Sequence, residues 1–359
     1  MKAPYLDLPQ QYKNQKKELD FAFKRVMTEG SFILRKDVER FEKDMASYIG
    51  VKHVIGVNSG TDALFLSLKS LDLKPKDEVI TTALLPYTIF AILNAGAKPV
   101  LIDVKEDFNM DVDKIEKAIT SKTKAIMPIH LNGRSCQMDK IMKIARKNNL
   151  IVIEDSAQSL GSKYKGKKTG TFGILGCFSL HPMKNLSCAG DGGFIATNNN
   201  DFAKKLRTLR NLGKYERTIF KSFGYNSRLD NLQAAILNVK LRNLNKYIKK
   251  RMEIAIEYNE GLSNLPLILP KISKEDTYNS YVIFTKDQKG LFNYLTEKRI
   301  EVFLHYSAPV YKLKELNLKD FNLPKTEQIC REAISLPINP SMNDMQISYV
   351  IKSINDYFK

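Results

Sequence analysis

Cysteine is scarce and poorly placed for metal binding. The chain has four, Cys136, Cys177, Cys188 and Cys330, and none of them stands in a CxxC or Cys/His ligand spacing. That argues against a structural zinc or other metal site, and for reduced thiols in a cytoplasmic protein. No hydrophobic run reaches the length of a membrane span, and the opening MKAPYLDLPQQYKNQKKEL is polar almost throughout, unlike a secretory leader. Internal repeats, low-complexity tracts and long Pro/Gly/Ser linkers are missing too. Acidic side chains are outnumbered, 39 Asp+Glu against 57 Lys+Arg, for a net charge of +18. Yet no RGG tract, zinc-finger spacing or aromatic RNA-binding signature accompanies the lysines. They are dispersed in stretches such as NVKLRNLNKYIKKRMEIAIEY, among apolar residues at helical spacing. The surplus reads as compositional bias, with no nucleic-acid and no membrane partner, plus a modest steering field for an anionic small substrate.

What is present is a core-forming α/β pattern. The 359 residues with 43% hydrophobic content suffice for a large α/β domain and a smaller one. Apolar segments alternate with amphipathic ones, as in a mostly parallel sheet covered by helices. HVIGVNSG, DEVITTA, KPVLIDV, TKAIMPIHL, LIVIEDSA, GCFSLH and GGFIAT read as strands. TDALFLSLKSL, PYTIFAILNAG and IMKIARKNN read as helices, and residues 235 to 262 as one long amphipathic helix. The expected division is 1–245, a large α/β domain with N-terminal helices included, and 246–359, a small α+β domain.

The chemistry concentrates in FSLHPMKNLSCAGDGG, residues 178 to 193, where Lys184 lies between a His-Pro turn and a glycine-rich run. Upstream, Asp155 closes the apolar run Ile151-Val152-Ile153-Glu154-Asp155, at the strand end where parallel sheets bind ligands. Alone, Asp155 reads equally as an N-cap for the next helix. A lysine able to form a Schiff base and a carboxylate able to keep a pyridine nitrogen protonated together fit pyridoxal phosphate. Ser59-Gly60-Thr61 opens a helix whose free N–H groups and dipole suit a phosphate, and Ser179 could add a hydroxyl. Tyr87 could cover the ring, or be an ordinary core or surface tyrosine.

In this order the motifs resemble the DegT/StrS-type sugar aminotransferases, a branch of the fold-type I PLP-dependent enzymes. The resemblance runs through five blocks over the whole chain: residues 30–64, 85–104, 153–173, 178–197 and 224–236. It implies a mostly parallel central sheet flanked by helices, with a smaller α+β C-terminal domain. It also implies transfer of an amino group from L-glutamate to a nucleotide-linked keto-sugar, with ping-pong kinetics, in amino-sugar biosynthesis such as that of a lipopolysaccharide or O-antigen. Lys184 would form the Schiff base and shuttle the proton. Asp155 would hold the pyridine N–H, with Gln158 near the ring hydroxyl. Gly60, Thr61 and Ser179 would bind the phosphate, and Tyr87 would stack on the ring. Asn226 would reach the phosphate of a neighbouring subunit, implying a homodimer with shared active sites. His181 would sit near the sugar, or be satisfied by backbone groups. His305 and Tyr306 would help cover the sugar nucleotide.

One departure stands out. Many relatives carry Gly-Glu-Gly-Gly after the lysine, and this chain has Gly190-Asp191-Gly192-Gly193. With the stretch His130 to Arg134, Asp191 favours amination at C3 of a dideoxy-keto-hexose, with C4 as the alternative. A PLP-dependent sugar dehydratase of the same fold would have histidine in place of Lys184. The positive charge alone motivates a non-catalytic regulatory or nucleic-acid-binding homologue.

Overall fold

The computed structural model describes residues 1–216, 219–316, 318 and 321–359. Its strands are β1 (His53–Val57), β2 (Glu78–Thr82), β3 (Lys98–Ile102), β4 (Thr123–Ile126), β5 (Ile151–Asp155), β6 (Lys163–Tyr164), β7 (Lys167–Lys168), β8 (Leu175–Ser179), β9 (Gly193–Thr197), β10 (Tyr281–Phe284) and β11 (Ala333–Leu336). Seven of them form one sheet in the order β1-β9-β8-β5-β4-β2-β3. Only β9 runs against its neighbours; the other pairings are parallel.

The first helices are α1 (Leu8–Asn14), α2 (Lys16–Glu29), α3 (Lys36–Ile49), α4 (Gly60–Lys69), α5 (Pro86–Asn94), α6 (Ile115–Ala118), α7 (Met138–Lys147) and α8 (Asn200–Leu209). After these come α9 (Asn231–Leu241), α10 (Leu244–Leu262), α11 (Gln288–Glu297), α12 (Pro324–Glu332) and α13 (Asp344–Tyr357). Helices cover both faces of the sheet, which explains why the strands are apolar on both sides. Ile55, Val57, Ile153, Cys177 and Ile195 pack under α4, α5 and α8. Their chain neighbours Val54, Phe178 and Phe194 point the other way, onto α3 and α9, as the two-residue repeat of a strand requires. No helix among the described residues is long and apolar enough to cross a membrane.

The helix expected over 235 to 262 is two helices. The chain turns at Arg242 and Asn243, and the two pieces bury different faces. Ala234 and Leu237 of α9 join the core under α3, whereas Ile254, Ala255, Tyr258 and Leu262 of α10 join β10, β11, α11 and α13. Ala3 packs into that second core, apart from the rest of the N-terminal segment, through a bridge to Ile300.

Candidate active site

The carboxyl ends of the parallel strands converge on one cavity of about 580 Å³, the position such sheets offer to ligands. Ser59, Gly60 and Thr61 follow β1; Leu84 to Tyr87 follow β2; Ile129 follows β4; Asp155 to Gln158 end β5; Ser179 to Lys184 end β8. Tyr5, Asp191, Asn279, Ser280 and His305 complete much of the wall. Ten of the residues expected at the site therefore meet here: Gly60, Thr61, Tyr87, Asp155, Gln158, Ser179, His181, Lys184, Asp191 and His305.

Asp155 is 4% exposed. The Thr88 hydroxyl donates to its Oδ2 at 2.6 Å and the Ala157 N–H to its Oδ1 at 3.1 Å. Burial pushes the carboxyl above its ordinary value, against the pull of Thr88, the Ala157 N–H and the Lys184 charge. A cationic N–H on its cavity side would reverse that push. Lys184 sits in the loop from β8 to β9, whose base is closed by the Leu180 and Gly192 main chains and whose turn is fixed by the Lys184 N–H donating to the His181 carbonyl at 2.8 Å. Its ammonium is drawn down to about 8 by burial, with Asp155 opposing. His181 accepts the Met183 N–H on Nδ1 at 3.2 Å, leaving Nε2 to carry its proton. Partial burial and the Lys184 charge hold it below the usual imidazole value.

At the opposite wall, the Ser59 hydroxyl caps α4 by accepting the Asp62 N–H at 3.0 Å. The helix start then presses on the end of β8. A Cβ at Gly60 would come within 2.6 Å of Ser179 Cβ and 3.0 Å of its Cα. That contact forms a cradle of main chain and hydroxyls at a helix N-terminus, suited to a phosphate. Gly60→Ala is expected to force α4 from β8 at a cost of about 1–3 kcal/mol, and to weaken cofactor binding roughly tenfold or more. Equilibrium titration followed by cofactor absorbance reads this directly.

An anion cradle, a lysine of lowered pKa and a buried carboxylate lacking a full counter-charge fit the three demands of pyridoxal phosphate. Tyr87, at the start of α5 and 57% exposed, is free to cover the ring face. Among the described residues no group of three or more His, Cys, Asp or Glu is placed to hold a metal ion.

Two expected residues lie elsewhere. Asn226 is exposed and bridges to Asn211, away from the cavity wall. Tyr306, expected beside His305 at the substrate, is buried behind the wall. Its ring packs near Phe108 and its hydroxyl donates to Asn132 Oδ1 at 2.8 Å. The Asn132 N–H in turn donates to Gln158 Oε1 at 2.8 Å, so Tyr306 and the stretch from His130 to Arg134 reach the cavity through Gln158. His130 itself is fully buried, accepting the Cys136 N–H on Nδ1 at 3.1 Å and donating from Nε2 to Glu154 at 3.0 Å. Thr88 and Tyr5 had no role assigned from sequence, and Asn132 only a share in the stretch from His130 to Arg134. Thr88 carried a signal, a hydroxyl inside the apolar helix run PYTIFAIL beside Tyr87. Tyr5 carried none.

Comparison with known proteins decides the family. Residues 13–355 match the DegT/DnrJ/EryC1/StrS aminotransferase family. The chain belongs to that family. It is 42% identical over 361 residues to the dTDP-3-amino-3,6-dideoxy-alpha-D-galactopyranose transaminase of Aneurinibacillus thermoaerophilus, covering 99% of each chain. It is 38% identical to the "Pleiotropic regulatory protein" of Geobacillus stearothermophilus, over all of this chain and 99% of that one. The crystal structure of S. venezuelae DesV in complex with a ketimine intermediate superposes with a TM-score of 0.96 at 35% identity, covering 100% of this chain and 99% of DesV. The fold expected from the five blocks, an α/β aminotransferase with a largely parallel sheet, is thus the fold found.

Proposed function

We propose that this aminotransferase moves an amino group from L-glutamate to C3 of a nucleotide-linked deoxy-keto-hexose, in the cytoplasm, within amino-sugar biosynthesis. The observation that carries the reading is the pairing of Lys184 with buried Asp155 across one cavity from the α4 anion cradle. When bound, pyridoxal phosphate supplies an electron sink for bond changes at the amino-bearing carbon. Gly60, Thr61 and Ser179 would hold its phosphate, Asp155 would pair with its ring nitrogen, and Gln158 and Tyr87 would hold its hydroxyl side and its ring. Lys184 Nζ, with a pKa near 8, would carry the proton between the substrate carbon and the cofactor carbon in each half of the exchange. The similarity to a transaminase named for a 3-amino sugar supports C3.

A homodimer with shared sites agrees with two surface features. Asn226 lies outside its own chain's cavity. Phe21, Phe23, Met27, Phe32 and Ile33 are large apolar side chains left exposed, and Phe223 is 98% exposed. The regulatory reading draws on the positive charge and on the name of the Geobacillus relative, and the dehydratase reading is disfavoured by the retained Lys184.

A panel of dTDP-, UDP- and GDP-linked 3-keto and 4-keto deoxyhexoses, each with L-glutamate, tests the proposal. The expected result is 2-oxoglutarate formation with 3-keto substrates. Turnover confined to 4-keto sugars moves the amination to C4. Protein that never turns yellow with added cofactor, and yields no 2-oxoglutarate, overturns the enzyme reading.

A further inference from the structure

Behind Gln158 the chain makes a turn in uncommon backbone. Asn132 has φ 60° and ψ 15°, in the left-handed region that non-glycine residues adopt at a cost and asparagine most readily. Gly133 follows with φ 85°. The turn is held from several sides. The Leu131 N–H donates to Asn109 Oδ1 at 3.2 Å, and the Gly133 carbonyl accepts the Ser162 hydroxyl at 2.7 Å and the Thr277 N–H at 2.9 Å. Among the described residues the Asn132 side chain has one anchor, the Tyr306 hydroxyl, which donates to Oδ1 at 2.8 Å. Its Nδ2 is buried without a partner. Tyr306 is 3% exposed, and burial pushes its phenol up, so it stays protonated and remains a donor.

What the turn presents to the site is the Asn132 N–H, which donates to Gln158 Oε1 at 2.8 Å. A main-chain N–H can only donate, so the atom it meets is the amide oxygen, and the orientation of the amide is fixed. Gln158 lines the cavity. With its oxygen tied to the wall, the Nε2 hydrogens are what it has left to offer.

We propose that Tyr306 and Asn132 are positioning residues: they hold the left-handed turn whose N–H orients the Gln158 amide, so that Gln158 offers a donor, and not an acceptor, to the ring oxygen of pyridoxal phosphate. This rests on the placement of Gln158 at the hydroxyl side of the cofactor proposed above. The consequence is electrostatic. A donor to the ring oxygen spreads its negative charge and loosens its hold on the proton at Lys184 Nζ once the cofactor is joined there. Losing the donor therefore raises the pH at which the resting, loaded protein gives up that proton and its yellow colour.

Absorbance of cofactor-loaded protein, titrated with pH in the absence of substrate, tests the arrangement. Gln158→Leu, which removes the donor, is expected to raise the midpoint by about one pH unit. Tyr306→Phe leaves the Asn132 side chain without its anchor and is expected to raise it by about half a unit. Asn132→Val, whose branched side chain resists left-handed backbone, should approach Gln158→Leu. Asn132→Gly, which adopts that backbone freely, should shift the midpoint less, whereas a mere packing role for the side chain would make it the more harmful of the two. The ionisable residues lining the cavity are the same in all four variants, so the comparison isolates the amide. A midpoint unmoved in both Tyr306→Phe and Asn132→Val, or moved more by Asn132→Gly than by Asn132→Val, overturns the proposal while a shift in Gln158→Leu leaves the site reading intact. A midpoint unmoved in Gln158→Leu overturns both the proposal and the placement of Gln158 at the ring oxygen.

Discussion

A Lys184→Ala chain is expected to lose transamination by at least ~10⁴-fold in kcat, while its fold becomes more stable. The first effect follows from geometry. Lys184 stands at the end of β8, facing Asp155 at the end of neighbouring β5; among the described residues no other lysine lines the cavity. The second follows from linkage. An ammonium whose pKa falls from 10.5 to about 8 on folding is held at a cost wherever it stays protonated. Between those values the unfolded chain binds more protons than the folded one, so wild-type stability rises with pH across that window. Below about pH 8 the cost is present in full. Thermal melts of cofactor-free protein at pH 7 are expected to favour Lys184→Ala by ~2 kcal/mol, after discounting for the side chain's partial opening to the cavity. The advantage should shrink toward pH 10. Equal melts at pH 7 would mean that Lys184 is not desolvated.

Asp155→Asn is the second large effect. The amide keeps an oxygen for Thr88 and a similar shape but removes the negative charge. With cofactor bound, a neutral group opposite the ring nitrogen no longer holds it protonated, and kcat is expected to fall about 10²–10⁴-fold. Without cofactor the sign reverses. The folded pKa of Asp155 is raised by burial, so below that pKa the carboxyl is protonated and harmless. As pH rises through the interval between its ordinary and raised values, the folded chain binds the extra proton and wild-type stability declines. Asp155→Asn should therefore melt at or above the wild type at pH 7, while the wild type gains more from added cofactor. Thr88→Val, which leaves the charge but removes its 2.6 Å donor, should cost far less activity than Asp155→Asn.

The parts of the site legible in the sequence are those fixed locally. Asp155 ends an apolar run, Ser59 to Thr61 sits where a strand gives way to a helix, and Lys184 follows Ser179 by five residues. A parallel sheet gathers such strand ends automatically, so local patterns pointed to Gly60, Thr61, Tyr87, Asp155, Ser179 and Lys184, while Gln158, His181, Asp191 and His305 came from the family resemblance. The parts that escaped depend on contacts between distant segments. Thr88 meets Asp155 across 67 positions. Tyr5 reaches the wall only because Glu301, 296 positions away, takes its N–H. Tyr306 is beside His305 in sequence, yet the chain direction at the wall points its side chain into the core around Phe108 and Val282. The break between α9 and α10 was invisible for the same reason. Both pieces have helical periodicity; the first turns of α10 still share the core of α9, and the turn serves the packing of its later residues in the second core.

The most direct test of the account is a half-reaction. Cofactor-loaded wild-type protein given L-glutamate alone should release about one 2-oxoglutarate per chain and then stop, resuming only when a keto-sugar nucleotide is added. Lys184→Ala should release none at a comparable rate. Release by Lys184→Ala as fast as by the wild type, or steady glutamate turnover with no sugar present, would contradict the assignment of the proton transfer to Lys184.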